Sequence, residues 1–133
     1  MADGLRILVV DDNPMSRELA QDVLVDAGHE VRPAAGVEEA LEAVAAFAPA
    51  VVLLDWHLKG ATGADVLAVV RARDAPGRKP VRVVVVTADI RPELRAAAIA
   101  AGADALVTKP YRASQLLSAI DGAPDGDGGG ASR

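Results

Sequence analysis

Short apolar segments and helical patterns alternate along the chain, and this alternation restricts the fold more than any other feature of the sequence. The apolar segments are rich in Val and Leu and lack the regular polar positions of a half-exposed strand, which is typical of strands buried on both faces. They lie at residues 5–10, 30–33, 50–54, 81–86 and 105–107. A helical pattern of apolar residues follows each of them. Five such β-α units predict an α/β fold, in which parallel strands form one doubly wound sheet with helices on both faces.

The length of 133 residues fits one domain, which we place at residues 1–121. The remaining residues, 122–133, are mostly Gly, Asp, Ala and Pro. Because this segment lacks apolar side chains that could pack, we predict that it is a disordered tail.

The composition argues against several kinds of function. The chain has no cysteine, so disulfides, thiolate metal sites and a cysteine nucleophile are excluded. A net charge of −5 disfavours direct binding to nucleic-acid phosphates. No run of roughly 18 apolar residues occurs, and the N-terminal sequence MADGLRILVVDDN does not resemble a signal peptide. We therefore expect a cytoplasmic protein that binds neither nucleic acid nor membrane.

Polar residues cluster at the points where the predicted strands end. Asp11 and Asp12 follow the first strand, Asp55 follows the third, Thr87 follows the fourth, and Lys109 follows the fifth. Since the carboxyl ends of parallel strands meet at one edge of a sheet, and ligands bind there, we expect these five residues to converge on one pocket.

The residue types in this pocket suggest phosphoryl chemistry. Three neighbouring carboxylates repel one another, and a divalent cation would relieve that repulsion. Ligands that are all oxygen favour a hard ion such as Mg²⁺. Lys109 offers a compact positive charge to a phosphate oxygen, and Thr87 offers a hydroxyl donor. The carboxylate of Asp55 could then serve as the nucleophile that becomes phosphorylated.

Each of these residues, taken singly, has an ordinary structural explanation. The acidic residues before a helix could be caps, Asp55 a solvated loop residue, Thr87 the last residue of its strand, and Lys109 a surface lysine. We prefer the functional interpretation because it alone explains why all five occur at the same edge of the sheet.

The chain resembles the receiver domains of two-component response regulators from about residue 5 to residue 120. The motifs that carry the resemblance are ILVVDDNP, VVLLDWHLKGATG, VVVVTAD and GADALVTKPY. The resemblance implies a flavodoxin-like sheet with strand order 2-1-3-4-5 and five helices. It implies Asp55 as the phosphoacceptor and a Mg²⁺ site formed by Asp11, Asp12, Asp55 and the backbone carbonyl of His57. It also implies that Thr87, Ala88 and Lys109 bind the phosphoryl group and form the switch.

The resemblance further implies a signalling switch, not an enzyme beyond its own phosphotransfer and autodephosphorylation. A histidine kinase or a histidine phosphotransfer protein would phosphorylate Asp55, and the altered face of the fourth helix, fifth strand and fifth helix would bind a downstream effector. The chain would be a monomer or a weak homodimer, and either a single-domain regulator or the receiver of a hybrid histidine kinase.

The chain departs from the family pattern in three respects. Leu58 and Lys59 stand where the family usually has Met-Pro, although Gly63 matches a family glycine. Leu106 replaces the aromatic residue that usually couples phosphorylation to the surface, so that coupling is in question. His57 occupies a position that influences phosphate lifetime in the family, but we expect a solvated loop side chain there. For Trp56 we expect a partly exposed packing residue.

Two other functions remain open. A pseudo-receiver would have the same fold but would never be phosphorylated, and only the substitutions at Leu106 and Lys59 favour it. A Mg²⁺-dependent phosphohydrolase of the haloacid-dehalogenase type also uses an aspartyl phosphate, but its nucleophile lies in an Asp-x-Asp motif after the first strand, where this chain has Asp11-Asp12-Asn13.

Overall fold

The computed structural model of the protein describes residues 4–77 and 79–122. These residues form a single doubly wound α/β unit. Its strands, in chain order, are β1 (Arg6–Val10), β2 (Glu30–Ala34), β3 (Val51–Asp55), β4 (His57–Leu58), β5 (Ala61–Thr62), β6 (Arg82–Thr87) and β7 (Ala105–Thr108). The helices are α1 (Pro14–Asp26), α2 (Val37–Phe47), α3 (Gly63–Ala72), α4 (Pro92–Ala101) and α5 (Ala113–Asp121).

Five of the strands form one parallel sheet in the order β2-β1-β3-β6-β7. Counting only these five, the order is 2-1-3-4-5, so the predicted flavodoxin-like fold is confirmed. The register pairs Val9 with Leu53 and Leu53 with Val84 across the centre of the sheet. Because every strand runs the same way, all carboxyl ends lie at one edge.

Alternate residues of the central strands point to opposite faces of the sheet, as the pleat requires. One face, with Leu8, Val52 and Val85, is covered by helices α2, α3 and α4. The other face, with Val9 and Leu53, is covered by helices α1 and α5. The continuous Val and Leu runs are thus explained, since the central strands have no solvent-exposed face.

Strands β4 and β5 form a short antiparallel hairpin that the sequence analysis did not predict. The hairpin begins directly after Trp56, which is only 7% exposed and packs in the α2–α3 side of the core. Our expectation of a partly exposed Trp56 is therefore wrong. A Cβ atom at Gly63 would lie 3.1 Å from the Trp56 ring and 3.1 Å from the Asp55 carbonyl oxygen, so a glycine at this position makes room for the buried ring.

Gly122 directly follows helix α5 as its C-cap residue, and its positive φ of 77° suits a residue without a side chain. The predicted disordered tail falls almost entirely on residues 123–133, which lie outside the described residues, so it stays a prediction. Among the described residues, no helix has both the length and the hydropathy needed to cross a bilayer.

Candidate functional site

The loop after β1 presents two of the predicted acidic residues. The Asn13 side chain caps helix α1 by accepting a hydrogen bond from the Ser16 amide at 3.0 Å, and Pro14 occupies the first helical position. The Asp11 carboxylate accepts from the Asn13 amide at 2.9 Å, and the Asp11 carbonyl accepts from the Arg17 guanidinium at 2.8 Å. The loop is therefore fixed from both the backbone and the side of α1.

Asp11, Asp12 and Asp55 come together at the carboxyl edge of the sheet. Each offers a carboxylate oxygen, and these oxygens all lie within 4.8 Å of one another. Asp11 is buried, and the Asp55 side chain is only 12% exposed. Three carboxylates at this separation repel one another strongly, because little water screens them.

Lys109 is the cation that faces this cluster. Its Nζ atom lies 3.4 Å from Asp11 Oδ2 and 3.6 Å from Asp55 Oδ2. It also lies 3.4 Å from the Ser16 hydroxyl, a neighbour that the sequence analysis did not identify. All three distances exceed the ~2.7–2.9 Å of a strong charge-assisted hydrogen bond. Lys109 is therefore held loosely between three oxygens, and its charge offsets only part of the negative charge.

The environment of Asp55 raises the pKa of its carboxyl group from 3.8 to about 6. Burial is the main cause, and the Asp11 carboxylate acts in the same direction. Lys109 and the His57 amide, which donates to Asp55 Oδ1 at 3.2 Å, lower the pKa but do not cancel these effects. The charged form of Asp55 is thus disfavoured until a further positive charge approaches.

The chemistry of these ligands fits a hard divalent cation. All the donors in the cluster are carboxylate oxygens, and no histidine nitrogen belongs to it within the described residues. An ion that binds oxygen at short range and keeps part of its water shell suits such an open acidic edge.

Thr87 ends strand β6 beside the cluster and is 1% exposed. Its Oγ1 atom accepts a hydrogen bond from the Asp89 amide at 3.0 Å, while its carbonyl accepts from the Lys109 amide at 2.8 Å. Ala88, which we expected to take part in the switch, lies between Thr87 and Asp89 in the chain and is exposed. The loop after β6 is therefore tied directly to the Thr87 hydroxyl.

Leu106 occupies β7 opposite Val85 of β6. It is half-buried and packs against the core cluster on the α2–α4 side of the sheet. Its side chain fills part of the space beside α4, but it has no polar group or ring that could exchange between two hydrogen-bonded positions.

The His57 side chain is 55% exposed, as expected for a loop residue, but it is not simply solvated. Its Nε2 atom lies 3.3 Å from Asp89 Oδ2. Asp89 is held in turn by Arg91, whose Nε donates to Oδ1 at 2.9 Å, and this pairing lowers the pKa of Asp89 below its ordinary value. The sequence analysis missed this contact, since the residues are 32 positions apart in separate loops.

Comparison with known proteins assigns the chain to one class. Residues 7–121 match the family model of the response regulator receiver domain. The chain therefore belongs to the receiver-domain family of two-component signalling, whose members act as signalling switches rather than as classical enzymes.

Several relatives show how widely this domain is used. The chain is 38% identical over 117 residues to the sensory/regulatory protein RpfC of Xanthomonas campestris, covering 88% of this chain and 16% of RpfC. It is 35% identical to the DNA-binding response regulator MtrA of Mycolicibacterium smegmatis, covering 86% of this chain and 48% of MtrA. The chain thus spans about a sixth of RpfC and about half of MtrA.

Solved structures agree with the fold. The chemotaxis protein CheY4 of Vibrio cholerae superimposes with a TM-score of 0.81 at 28% identity, covering 90% of this chain and 98% of CheY4. A CheY-like receiver domain protein of Methanospirillum hungatei gives a TM-score of 0.79 at 29% identity, covering 90% of this chain and 93% of that protein.

Proposed function

We propose that Asp55 accepts a phosphoryl group in the presence of Mg²⁺ and that this modification switches a partner-binding surface. The observation that carries the proposal is the cluster of three carboxylates within 4.8 Å, with Lys109 Nζ 3.6 Å from Asp55. A site with this excess of negative charge is unfavourable by itself, and a cation together with a phosphoryl group would complete it. We assign the receiver function to residues 1–121.

In the proposed reaction, a carboxylate oxygen of Asp55 attacks the phosphorus of a phosphohistidine. The new O–P bond forms as the P–N bond breaks, and the electron pair returns to the imidazole nitrogen of the donor. Lys109 moves from its loose position to bind a phosphoryl oxygen. The residues that would hold the metal are Asp11, Asp12, Asp55 and the His57 carbonyl, and Mg²⁺ would neutralise charge on the phosphoryl oxygens.

The donor we propose is a histidine kinase or a histidine phosphotransfer protein. The relationship to RpfC and to the sensor histidine kinase AruS of Pseudomonas aeruginosa supports this class, as 31% of the residues are identical in AruS. The relationship to MtrA supports an effector output. The cytoplasmic location, the lack of nucleic-acid contact, and a monomeric or weakly dimeric state stay predictions.

Intact-mass analysis after incubation with acetyl phosphate tests the proposal. We expect wild-type protein to gain the mass of one phosphoryl group when Mg²⁺ is present and to gain nothing in EDTA. Asp55→Asn should show no gain under either condition. Asp26→Asn, which removes an exposed carboxylate at the end of α1, is the matched control and should behave as wild type.

The same experiment separates the alternative functions. A pseudo-receiver would fold and bind Mg²⁺ but would show no gain in mass. A phosphohydrolase would release phosphate over many turnovers, and it would depend on Asp11 rather than Asp55.

A further inference from the structure

Three side chains join the two loops that border Asp55 and Thr87. His57 lies at the start of the β4–β5 hairpin, while Asp89 and Arg91 lie in the loop between β6 and α4. His57 Nε2 is 3.3 Å from Asp89 Oδ2, and the Arg91 guanidinium donates hydrogen bonds to both carboxylate oxygens of Asp89. We call these three residues the loop clasp.

The loop clasp is bonded to the switch residue itself. The Asp89 amide donates to Thr87 Oγ1 at 3.0 Å, and its side chain accepts from the Arg91 amide at 3.1 Å. Arg91 is the N-cap residue of helix α4. A continuous chain of hydrogen bonds therefore runs from the Thr87 hydroxyl through Asp89 to the start of α4, and a side branch reaches His57.

Movement of the Thr87 hydroxyl would break this chain of contacts at Asp89. Thr87 has a single hydroxyl and a stiff β-branched side chain, so its Oγ1 moves between discrete rotamers. Turning the hydroxyl toward a phosphoryl oxygen on Asp55 takes Oγ1 away from the Asp89 amide. Loss of that bond removes the anchor that holds the loop clasp against β6.

We propose that the loop clasp of His57, Asp89 and Arg91 stabilises the unphosphorylated state and so opposes activation. The inference rests on the proposed phosphorylation of Asp55. It does not depend on an aromatic ring at position 106, where the chain has Leu106.

Two apolar side chains near the loop clasp are exposed. Ile90 lies between the two clasp residues of the β6–α4 loop and is 79% exposed. Farther along the chain, in α4, Ile99 is 48% exposed. Because Ile90 is flanked on both sides by clasp residues, we expect release of the clasp to alter the direction in which the Ile90 side chain points.

Hydrogen exchange of single amides, measured by NMR with beryllofluoride and Mg²⁺ as the phosphoryl mimic, tests the release. We expect the Asp89 amide to exchange faster in the complex than in the free protein, because its bond to Thr87 Oγ1 is lost. The Asp104 amide, which donates to the Val83 carbonyl at 2.8 Å at the amino edge of the sheet, is the reference and should change little. Unchanged or slower exchange at Asp89 would overturn the inference.

A double-mutant cycle tests whether the clasp opposes activation. We expect His57→Ala to tighten the apparent affinity for beryllofluoride about two- to fivefold, the value of one exposed hydrogen bond. Loss of a side chain that can carry positive charge would by itself weaken the binding of this anion. A tighter affinity in His57→Ala is therefore the opposite of what a purely electrostatic effect would produce. In an Asp89→Ala background, His57→Ala should no longer tighten the affinity.

The outcomes distinguish this inference from the function on which it rests. A weaker or unchanged affinity in His57→Ala, or the same effect in the Asp89→Ala background, refutes the loop clasp while phosphorylation of Asp55 stands. Lack of beryllofluoride binding and of any phosphoryl mass gain in the wild type refutes both.

Discussion

The two edges of the sheet carry ionic clusters of opposite character. At the amino edge, Arg71 of α3 donates to the carbonyl oxygens of Val81 at 2.7 Å and of Gly102 at 2.8 and 3.0 Å. It also contacts Asp104 Oδ2 at 2.7 Å, and this same oxygen accepts from the Val83 amide at 2.8 Å. Charge and hydrogen bonds are both satisfied there.

The carboxyl edge is incomplete by comparison. Lys109 contacts two of the three carboxylates, and its distances of 3.4 Å to Asp11 and 3.6 Å to Asp55 are long. One of the carboxyl groups, Asp55, has its pKa raised to about 6. The difference indicates that the amino edge holds the sheet and helices together, whereas the carboxyl edge keeps an excess of negative charge, which fits the proposed binding of a cation and a phosphoryl group. Sites that bind or react often carry such unfavourable electrostatics.

Removal of Arg71 should have the largest effect on stability. Arg71→Ala leaves two carbonyl groups and the Asp104 carboxylate without their partner, and we expect the free energy of unfolding to fall by about 2–4 kcal/mol. Urea denaturation followed by circular dichroism measures this loss. Arg73→Ala, two positions on at an exposed site, should stay within about 0.5 kcal/mol of wild type. Equal effects of the two substitutions would contradict the contrast between the edges.

Neutralising Asp55 should stabilise the protein, whereas removal of Arg71 should destabilise it. Burial raises the pKa of Asp55 in the folded state from 3.8 to about 6, so ionised Asp55 lowers stability above pH 6, and this cost disappears as the pH falls toward 3.8. Asp55→Asn should therefore raise the free energy of unfolding of the metal-free protein by about 1–3 kcal/mol at pH 8. The gain should shrink toward zero near pH 4.

Urea denaturation in EDTA at a series of pH values checks this prediction. Asp26→Asn serves as the control, because it also removes one carboxylate but from an exposed position. A destabilising effect of Asp55→Asn at pH 8, or a gain in stability that does not vary with pH, would show that ionised Asp55 does not destabilise the folded protein.

Magnesium should stabilise the protein by a smaller amount, through the carboxyl edge alone. At ten times its dissociation constant, one bound ion raises the free energy of unfolding by about 1.4 kcal/mol. We expect Arg71→Ala to keep this increment, because its site is intact, and Asp12→Asn to lose most of it. Thermal unfolding with and without Mg²⁺ measures the increment, and full retention in Asp12→Asn would remove Asp12 from the metal site.

The sequence predicted the sheet well, because unbroken Val and Leu runs are a direct consequence of strands buried on both faces. It also indicated which residues lie at the carboxyl edge, since parallel strands put Asp11 and Asp55 there whatever the details of packing. Strands β4 and β5 were missed because two residues each are too few to show a period.

The contacts that depend on side-chain conformation could not be predicted in this way. Trp56 is buried because Gly63 leaves space for its ring, and no local pattern reports that space. Asp104 lies 33 positions from its partner Arg71, and Asp89 lies 32 positions from its partner His57. Only the folded structure fixes the relative positions of these segments. The sequence therefore located the acidic cluster at the carboxyl edge, but it did not reveal the contacts of Arg71 and His57.

Chemical trapping of the phosphorylated residue tests the central claim most directly. An acyl phosphate on an aspartate is reduced by borohydride to homoserine, and peptide mass analysis then locates that residue. After treatment with acetyl phosphate and Mg²⁺, we expect homoserine at position 55 and at neither Asp11 nor Asp12. Trapping at Asp11 or Asp12, or no trapped residue in protein that binds Mg²⁺, would contradict the assignment of Asp55 as the phosphoacceptor.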